Sequence, residues 1–464
     1  MAKIQKFTDK GYTFSSKVSA VGSHRLNRDI FFELFSSFSC TASELVLSEC
    51  EESVFIIGDV QPLDTNGYEY AIRVCEDGVA ISAEGQIGLI HGYYALLEMI
   101  EPVCLEYGRE ELYIPGCEIW ERGDTEYRMA HFCLFARTEL WELEKFIRVC
   151  AVLKCTHIVL ESWGSIRLDA LPEMAWEGIG HTKDEIRPYI KLANDMGIEI
   201  VPFFNHWGHA SQARGRIGKH AILNQNPRLA TLFNRTGWAW RIDKREVRDL
   251  HARIREELME LCGDGSFFHI GCDEAVVVSD TSVYEGVVEY INEISSSIGK
   301  RGRRTLMWGD MMLLKSRFDP SAHYECNVKD ERVEKIMIEG VSKDVIIVDW
   351  QYNAVEHPFK TSEYLKSCGF EVMCAPWNDK AANGACAVKT AKELSLLGVM
   401  HTSWHTMYEG YRPLNLVLRR AWDVDYDWND ENIMYVGALV GKAHPTVSYE
   451  QAGWAREEIA LGFK

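Results

Sequence analysis

The sequence predicts an α/β protein, a (β/α)8 TIM barrel preceded by a small α+β domain. Three observations predict it. From about residue 125 onward, short apolar runs alternate with helical segments, and eight such runs can be counted; that is the period of a closed parallel barrel. Before about residue 120 the apolar runs are strand-like, closely spaced and followed by one helical stretch. A chain of 464 residues is also longer than one ordinary core supports, which suits a large barrel with a smaller companion.

Residues 1–120 are expected to form the small domain. Strand-like runs occur at Ser53–Ile57, Glu69–Val74 and Gly78–Ser82. The run VFIIG is almost wholly apolar and should be buried on both faces. A helix is predicted over Gly88–Ile100, with Leu89, Tyr93, Leu96, Leu97 and Ile100 as its apolar positions; Pro102 and Pro115 punctuate the exit.

Residues 125–464 are expected to form the barrel. Its strands should lie near Arg128–Leu134, His157–Glu161, Glu199–Phe204, Phe267–Ile270, Thr305–Trp308, Val345–Asp349, Glu371–Cys374 and Gly398–Ser403. The clearest intervening helix is Glu139–Lys154, where Leu140, Leu143, Ile147 and Cys150/Ala151 make one stripe. Thr182 and Glu185 have the spacing of a capping box. Pro188 lies past the first turn of that helix, so a later start or a kink is expected. A doubly wound open sheet is the competing architecture, but no Gly-rich phosphate loop follows any strand.

The formal net charge is -19. Such a surface repels nucleic acid and anionic membranes, and weighs against a strongly anionic substrate. The opening MAKIQKFTDKGYTF has no apolar core of a secretory signal, and no run approaches the roughly 20 apolar residues of a membrane helix. A cytoplasmic protein is expected. The 14 cysteines are scattered without a CxxC pair, which agrees with buried free thiols in a reducing compartment.

In a barrel of this kind the active site gathers where strands end and loops begin. The residues there are Glu161, Ser162 and Trp163; Asn205, His206, Trp207 and His209; Cys272, Asp273 and Glu274; Trp308 and Asp310; Asp349 and Trp350; Trp377 and Asn378; Trp404 and His405. One tryptophan after a strand is usually core. Several at equivalent positions suggest a cup, because an indole face stacks on the C–H face of a pyranose and excludes water. Asp273 and Glu274 stand out within HIGCDEA, since two acids at the end of a buried strand are costly unless exposed, paired or used. Neighbours on a strand point different ways, which suits two roles at one reacting centre. Glycoside cleavage needs such a pair: one acid protonates the leaving oxygen, and a second group stabilises the oxocarbenium-like centre.

HIGCDEA resembles the signature of the family 20 glycoside hydrolases, the β-N-acetylhexosaminidases, and its cysteine form is similar to the hexosaminidase D branch. TEYRMAHFCL, IEIVPFFNHWGHAS, LMWGDMML, IIVDWQYN, CGFEVMCAPW and GVMHTSWHTMYEGY match in order, and GLIHGYYALLEMIEP looks like the end of the family's preceding α+β domain. The resemblance implies a retaining, substrate-assisted mechanism in which the sugar's own 2-acetamido oxygen attacks C1. It implies that Asp273 orients the acetamido group and that Glu274 is the general acid and base. It places Arg128 on the sugar hydroxyls and His209 in the third-strand loop. Trp308, Trp350 and Trp404 would wall the pocket, with Glu161 and Asp310 as polar members. Neither cofactor nor metal is implied. The substrate would be a small oligosaccharide or glycoconjugate, and a homodimer is compatible with the pattern.

The sequence departs from the family at two places. Where many members carry a tyrosine that donates to the acetamido carbonyl, APWND supplies Trp377, Asn378 and Asp379, leaving Asn378 or Tyr352 for that task. The acid that usually follows the last-strand tryptophan is replaced in TSWHTMYEG, with His405, Tyr408 or Glu409 nearby. The preference between GlcNAc and GalNAc is therefore open, with a lean toward accepting GalNAc. His206 and His209 have a metal-compatible spacing but no third ligand in the sequence, and Cys272 has no base to make it a nucleophile. Two other functions fit the same residues: a sugar-binding barrel without turnover, and a barrel glycosidase acting on another sugar.

Overall fold

The computed structural model describes residues 3–14, 17–23, 44–50, 53–99, 112–135, 138–162, 164–175, 178–211, 222–275, 281–377, 381–404 and 411–427. The first strands are β1 (Lys3–Phe7), β2 (Tyr12–Phe14), β3 (Lys17–Ser23), β4 (Glu44–Cys50), β5 (Val54–Gly58), β6 (Tyr70–Cys75) and β7 (Gly78–Ala83). Helix α1 (Gln86–Met99) follows, then β8 (Leu112–Ile114) and β9 (Cys117–Glu121). Seven of these strands form one sheet in the order β1-β9-β6-β7-β5-β3-β4, and β2 pairs with β8. The sequence pattern exposes three of the nine. β1 is an edge strand with most of its side chains in solvent, so KIQKF carries no alternation to read. In β5, Val54, Phe55 and Ile57 are buried and Ile56 is half-buried, close to the expected burial on both faces.

Helix α1 is buried continuously from Gly88 to Leu97. A helix apolar all round must be covered all round, and α1 is held between β6 and β7 on one side and the barrel helix α2 (Leu140–Val152) on the other.

The barrel expectation is met. Strands β10 (Tyr127–Leu134), β11 (His157–Ser162), β12 (Glu199–Phe203), β13 (Phe267–His269), β14 (Arg304–Trp308), β15 (Ile346–Asp349), β16 (Val372–Cys374) and β17 (Gly398–His401) close into one barrel. Each pairs in parallel with the next, and β10 pairs with β17. Inside, Met129, Val159, Val201, Phe267, Leu306, Val348 and Met400 form a continuous apolar cluster. The outer helices after α2 are α3 (Lys183–Asp195), α4 (Ile222–Gln225), α5 (Arg245–Cys262), α6 (Thr281–Gly299), α7 (Glu331–Gly340), α8 (Lys360–Ser367), α9 (Ala381–Glu393) and α10 (Tyr411–Trp422).

Helix α3 starts where the capping box places it, and neither starts late nor breaks at Pro188. The Thr182 hydroxyl accepts from the Glu185 amide, and the Glu185 carboxylate accepts from the Thr182 amide. Two cap bonds and the buried face of Ile186, Ile190 and Ala193 offset the one backbone bond that proline removes.

Arg128 requires a correction. It is the second residue of β10, at the N-terminal end of the barrel, six residues and about 20 Å from the strand's other end. Its guanidinium donates to the carbonyls of Lys154 and Thr125 at 2.8 Å, lies 3.7 Å from Glu69, and sits 4.9 Å from the centre of the Trp422 ring. Lys154, Glu121, His91 and Tyr70 complete a buried charged layer between the N-terminal sheet and the barrel floor. Burial alone would raise the Glu121 carboxyl, but Lys154 and Lys3 outweigh it and hold it at about 2. Arg128 thus joins the N-terminal sheet to the barrel and does not grip sugar. Arg128→Met should lower unfolding free energy by about 3–5 kcal/mol, the usual result of leaving a buried ionic layer half-paired. Urea unfolding checks this, and the folded variant should keep its kcat/KM within a few-fold.

Candidate active site

The C-terminal mouth of the barrel is built around the turn that ends β13. Gly271, Cys272 and Glu274 all have positive φ, at 66°, 75° and 46°. Such a conformation is uncommon for non-glycine residues and costs on the order of 1–3 kcal/mol where it is strained. It has a consequence for direction. On an extended strand Asp273 and Glu274 would diverge, as the sequence pattern suggested. The left-handed turn instead brings both carboxylates to one imidazole: His209 Nε2 lies 3.3 Å from Asp273 Oδ2 and 3.0 Å from Glu274 Oε2. The Asp273 side chain is only 7% exposed, whereas that of Glu274 is 45% exposed. One acid is seated and the other stands at the rim.

Each side of the turn is fixed. The Asn205 amide donates to Asp273 Oδ1 at 2.7 Å, and its carbonyl oxygen accepts from the Cys272 backbone N–H at 2.9 Å. Gly271 lets that amide approach, since a Cβ there would come within 2.5 Å of it. At Gly208 a Cβ would lie 1.9 Å from the Asp273 carbonyl oxygen, so the β12 loop can pass only as glycine. Trp238 donates from its indole to the Glu274 carbonyl at 2.8 Å and places its ring 4.4 Å from that of His209. Asn205 is among the residues that the strand-end reading gathered, though without a role, whereas Trp238 is a position that reading did not select. Asn205 was legible as the first polar residue after β12; Trp238 lies far from any strand end, and no local signal marks it.

Asp310 also differs from its expected role. It is fully buried, and its carboxylate is occupied by protein donors. Oδ2 accepts from the Glu274 backbone N–H at 2.9 Å and from Asn327 at 2.7 Å, while Oδ1 accepts from the Trp350 indole at 3.0 Å. It therefore ties the acid-bearing turn to the aromatic wall, with three donors on its two oxygens and the side chain buried away from the open pocket. Burial and the nearby Asp273 charge push its carboxyl up to about 7, against the pull of those donors.

The wall itself is continuous. Trp308 and Trp350 belong to the apolar cluster of the barrel interior, with Tyr352 and Trp404 packed against it. The Trp404 ring lies 6.0 Å from Trp308, and Tyr352 lies 4.9 Å from Trp350 and 5.4 Å from Trp377. The Trp404 indole donates to the Tyr352 hydroxyl at 2.6 Å, and Thr402 is 3.3 Å from the same oxygen. The buried indole nitrogens of Trp308 and Trp377 have no acceptor among the described residues. Asn378, His405, Tyr408 and Glu409 lie outside the described residues.

Glu161 is seated on the floor. Its carboxylate is 2.8 Å from His131 Nε2, with Cys133 Sγ 3.9 Å away. His131, Cys133 and Glu161 are the one group among the described residues whose ligand atoms lie close enough to share a metal, all within 4.8 Å. A metal-bound imidazole normally donates its other N–H to a partner. His131 Nδ1 is buried without one among the described residues, so the contact fits a polar floor pair better than a metal centre. The His206–His209 spacing forms no site either: His206 is fully buried, with Nδ1 on the Phe204 carbonyl, and burial drives its pKa far below the ordinary value. Burial likewise pushes the Cys272 thiol far above its usual range, so it is no nucleophile.

The chain as a whole has relatives. A β-hexosaminidase of Porphyromonas gingivalis is 23% identical over 298 residues, covering 56% of this chain and 37% of that protein, so the match spans little more than a third of that relative's length. The β-N-acetylhexosaminidase of Bacteroides fragilis superposes with a TM-score of 0.68 at 17% identity, covering 97% of this chain and 94% of the other. An inactive mutant of a GH20 exo-β-N-acetylglucosaminidase from Vibrio harveyi superposes at 0.67 with 14% identity, covering 99% and 76%. Likeness at such identities is one of fold. Residues 156–421, however, match the catalytic domain of glycosyl hydrolase family 20. That match takes in seven of the eight barrel strands and the Asp273–Glu274 turn, and the chain belongs to glycosyl hydrolase family 20.

Proposed function

We propose that the protein is a retaining exo-β-N-acetylhexosaminidase that removes terminal β-GlcNAc or β-GalNAc by substrate-assisted catalysis. The observation that carries this reading is the convergence of Asp273 and Glu274 on His209 at the edge of the Trp308–Trp350–Trp404 wall. The sugar stacks in the indole cup. Its acetamido N–H donates to Asp273, which Asn205 holds in place. The acetamido oxygen forms a bond to C1 as the C1–O bond to the leaving group breaks, and Glu274 gives its proton to the departing oxygen. Glu274 then takes a proton from water as that water attacks C1, and the acetamide re-forms. Two inversions at C1 give net retention.

Tyr352 is the better-supported donor to the acetamido oxygen. Its hydroxyl oxygen receives the Trp404 indole proton, which leaves its own proton to give. His131 and Glu161 supply polar groups on the pocket floor for hydroxyls. The N-terminal 120 residues serve as a supporting domain for the barrel, with Arg128 in the contact between them. A cytoplasmic enzyme acting on oligosaccharides or glycoconjugates, without nucleic-acid or membrane partners, accords with the net charge of -19. No helix among the described residues is long and apolar enough to cross a membrane.

The test compares aryl β-glycosides with and without the 2-acetamido group. The acetamido substrate should be cleaved at least about 10³-fold faster, since an intramolecular nucleophile replaces a bimolecular one. Equal rates would reject the participation of the acetamide.

A further inference from the structure

Between β12 and β13, just ahead of α5, the chain folds back on itself as a short hairpin. Phe233 and Trp240 bridge antiparallel, and the Asn234 backbone N–H donates to the Ala239 carbonyl at 2.8 Å. The Asn234 side-chain carbonyl accepts from the Trp238 backbone N–H at 3.1 Å. One side of this hairpin serves the active site: the Trp238 indole reaches the Glu274 carbonyl, and the Trp240 indole donates to the Asn205 carbonyl at 3.0 Å. The other side borders a cavity of about 1010 Å³ that extends to the first turns of α5 and α6, at the upper end of the range for small-ligand sites. Trp238, His209, Asp273 and Glu274 are not among the described residues that line it.

The charge of this lining is opposite to that of the chain. Among the described residues Arg235, Arg241, Lys244 and Arg248 border the cavity, against Asp243 as the one acid, in a protein of net charge -19. Three of these cations are partly engaged. Arg241 pairs with Asp243 at 2.6 Å. Lys244 donates to the Thr231 carbonyl at 3.0 Å and lies 3.3 Å from Glu246. Arg248 donates to the Ile242 carbonyl at 2.7 Å and lies 3.2 Å from Glu293. Arg235 is exposed and has no partner among the described residues, so its whole fork of donors is free. Screening decides which anions can use this surplus. At physiological ionic strength charges act over about 8 Å. A small anion inside the cavity therefore meets the cations, whereas an extended polyanion also meets the acidic surface around them and is repelled. The lining is also apolar in part: the Phe233 and Trp240 rings pack with centres 4.4 Å apart, and Val283 is 37% exposed. A bare inorganic ion leaves that surface wet, while a ligand with an apolar body covers it.

We infer that the cavity behind the Phe233–Trp240 hairpin binds a small organic phosphate, its dianion held by Arg235 with Arg241, Lys244 and Arg248, at a site separate from Asp273 and Glu274. Calorimetric titration of the full chain tests this, with phenyl phosphate as the probe. Inorganic phosphate, which lacks the ring, and phenyl sulfate, which carries less charge, are the comparisons. Phenyl phosphate should bind at one saturable site, about ten-fold more tightly than either comparison, and should weaken severalfold as salt rises and screening grows. Arg235→Glu should weaken it by about ten-fold or more, because a charge-assisted hydrogen bond is replaced by a like charge. Arg241→Ala should weaken it less, and both side chains are exposed, so both variants should fold. Glu274→Gln should bind it as the wild type does. Binding is read directly, so the outcome is independent of catalysis. Absence of saturable binding, or an affinity untouched by both arginine variants, would overturn the site. Equal or tighter binding of inorganic phosphate or phenyl sulfate would overturn the class of ligand. Loss of binding in Glu274→Gln would move the probe to the active site and overturn the separation of the two.

Discussion

Glu274→Gln should lower kcat/KM on alkyl β-N-acetylhexosaminides by about 10²–10⁴-fold, the usual contribution of a positioned general acid. Gln keeps the size of the side chain and its contact with His209, so the fold should hold. What it loses is the proton for the leaving oxygen and the base for water. The loss should therefore depend on the leaving group. A nitrophenolate departs with little help, so its first step should survive and the second should become limiting, and added azide should restore turnover by replacing the activated water. The alkaline limb of the kcat/KM profile should flatten at the same time, because the acid whose loss of a proton it reports is gone. A variant with wild-type rates on alkyl glycosides would remove Glu274 from the mechanism, and a uniform loss on all leaving groups would make its role structural.

Asp273→Asn should lower kcat by about 10²–10³-fold with a much smaller change in KM, the pattern of an electrostatic contact that matters most in the transition state. The positive charge that develops as the acetamide attacks C1 faces the seated carboxylate, whose Oδ1 is anchored by Asn205 and whose Oδ2 lies 3.3 Å from His209. An amide fills the same space without the charge. The melting temperature gives the control. Asp273 is one cause of the raised carboxyl of Asp310, so neutralising it relieves a buried like-charge contact. The variant should melt no lower than the wild type while losing activity, which separates a catalytic effect from a folding defect. A large fall in melting temperature, or retention of kcat, would contradict the assignment.

Much of the architecture was legible because the barrel strands are buried on both faces. Runs such as HIVL before Glu161 and IIVD before Trp350 stand out as apolar segments of strand length between amphipathic helices. The N-terminal sheet was harder to read: β1 is exposed, and the short β2 and β8 have too few residues to show a period. The capping box at Thr182 outweighed Pro188, a contest between two local rules that the sequence leaves open and the buried face of α3 resolves. Of the pocket residues, those next in sequence to a strand end could be found by counting, which is why Asp273, Glu274, Trp308, Trp350 and Trp404 were in view. Trp238 could not, because it reaches the acids from a long connection.

The sequence by itself determined the barrel, through the alternation of buried strands with striped helices, and it singled out the two acids by their setting, at the end of a buried strand and among strand-end tryptophans, because a DE pair alone is more often a solvated turn or a helix cap. Only the tertiary structure decided where those side chains point. Arg128 sits on the same strand that supplies the pocket floor, yet at the wrong end of it. Asp310 looked available until three donors from distant segments were counted on its oxygens. Asp273 and Glu274 meet at His209 because the backbone turns left-handed at Cys272 and Glu274, and alternation along a strand cannot foresee that. Local pattern fixes which residues form an element. The direction of a side chain at its end depends on a backbone that contacts remote in sequence hold in place.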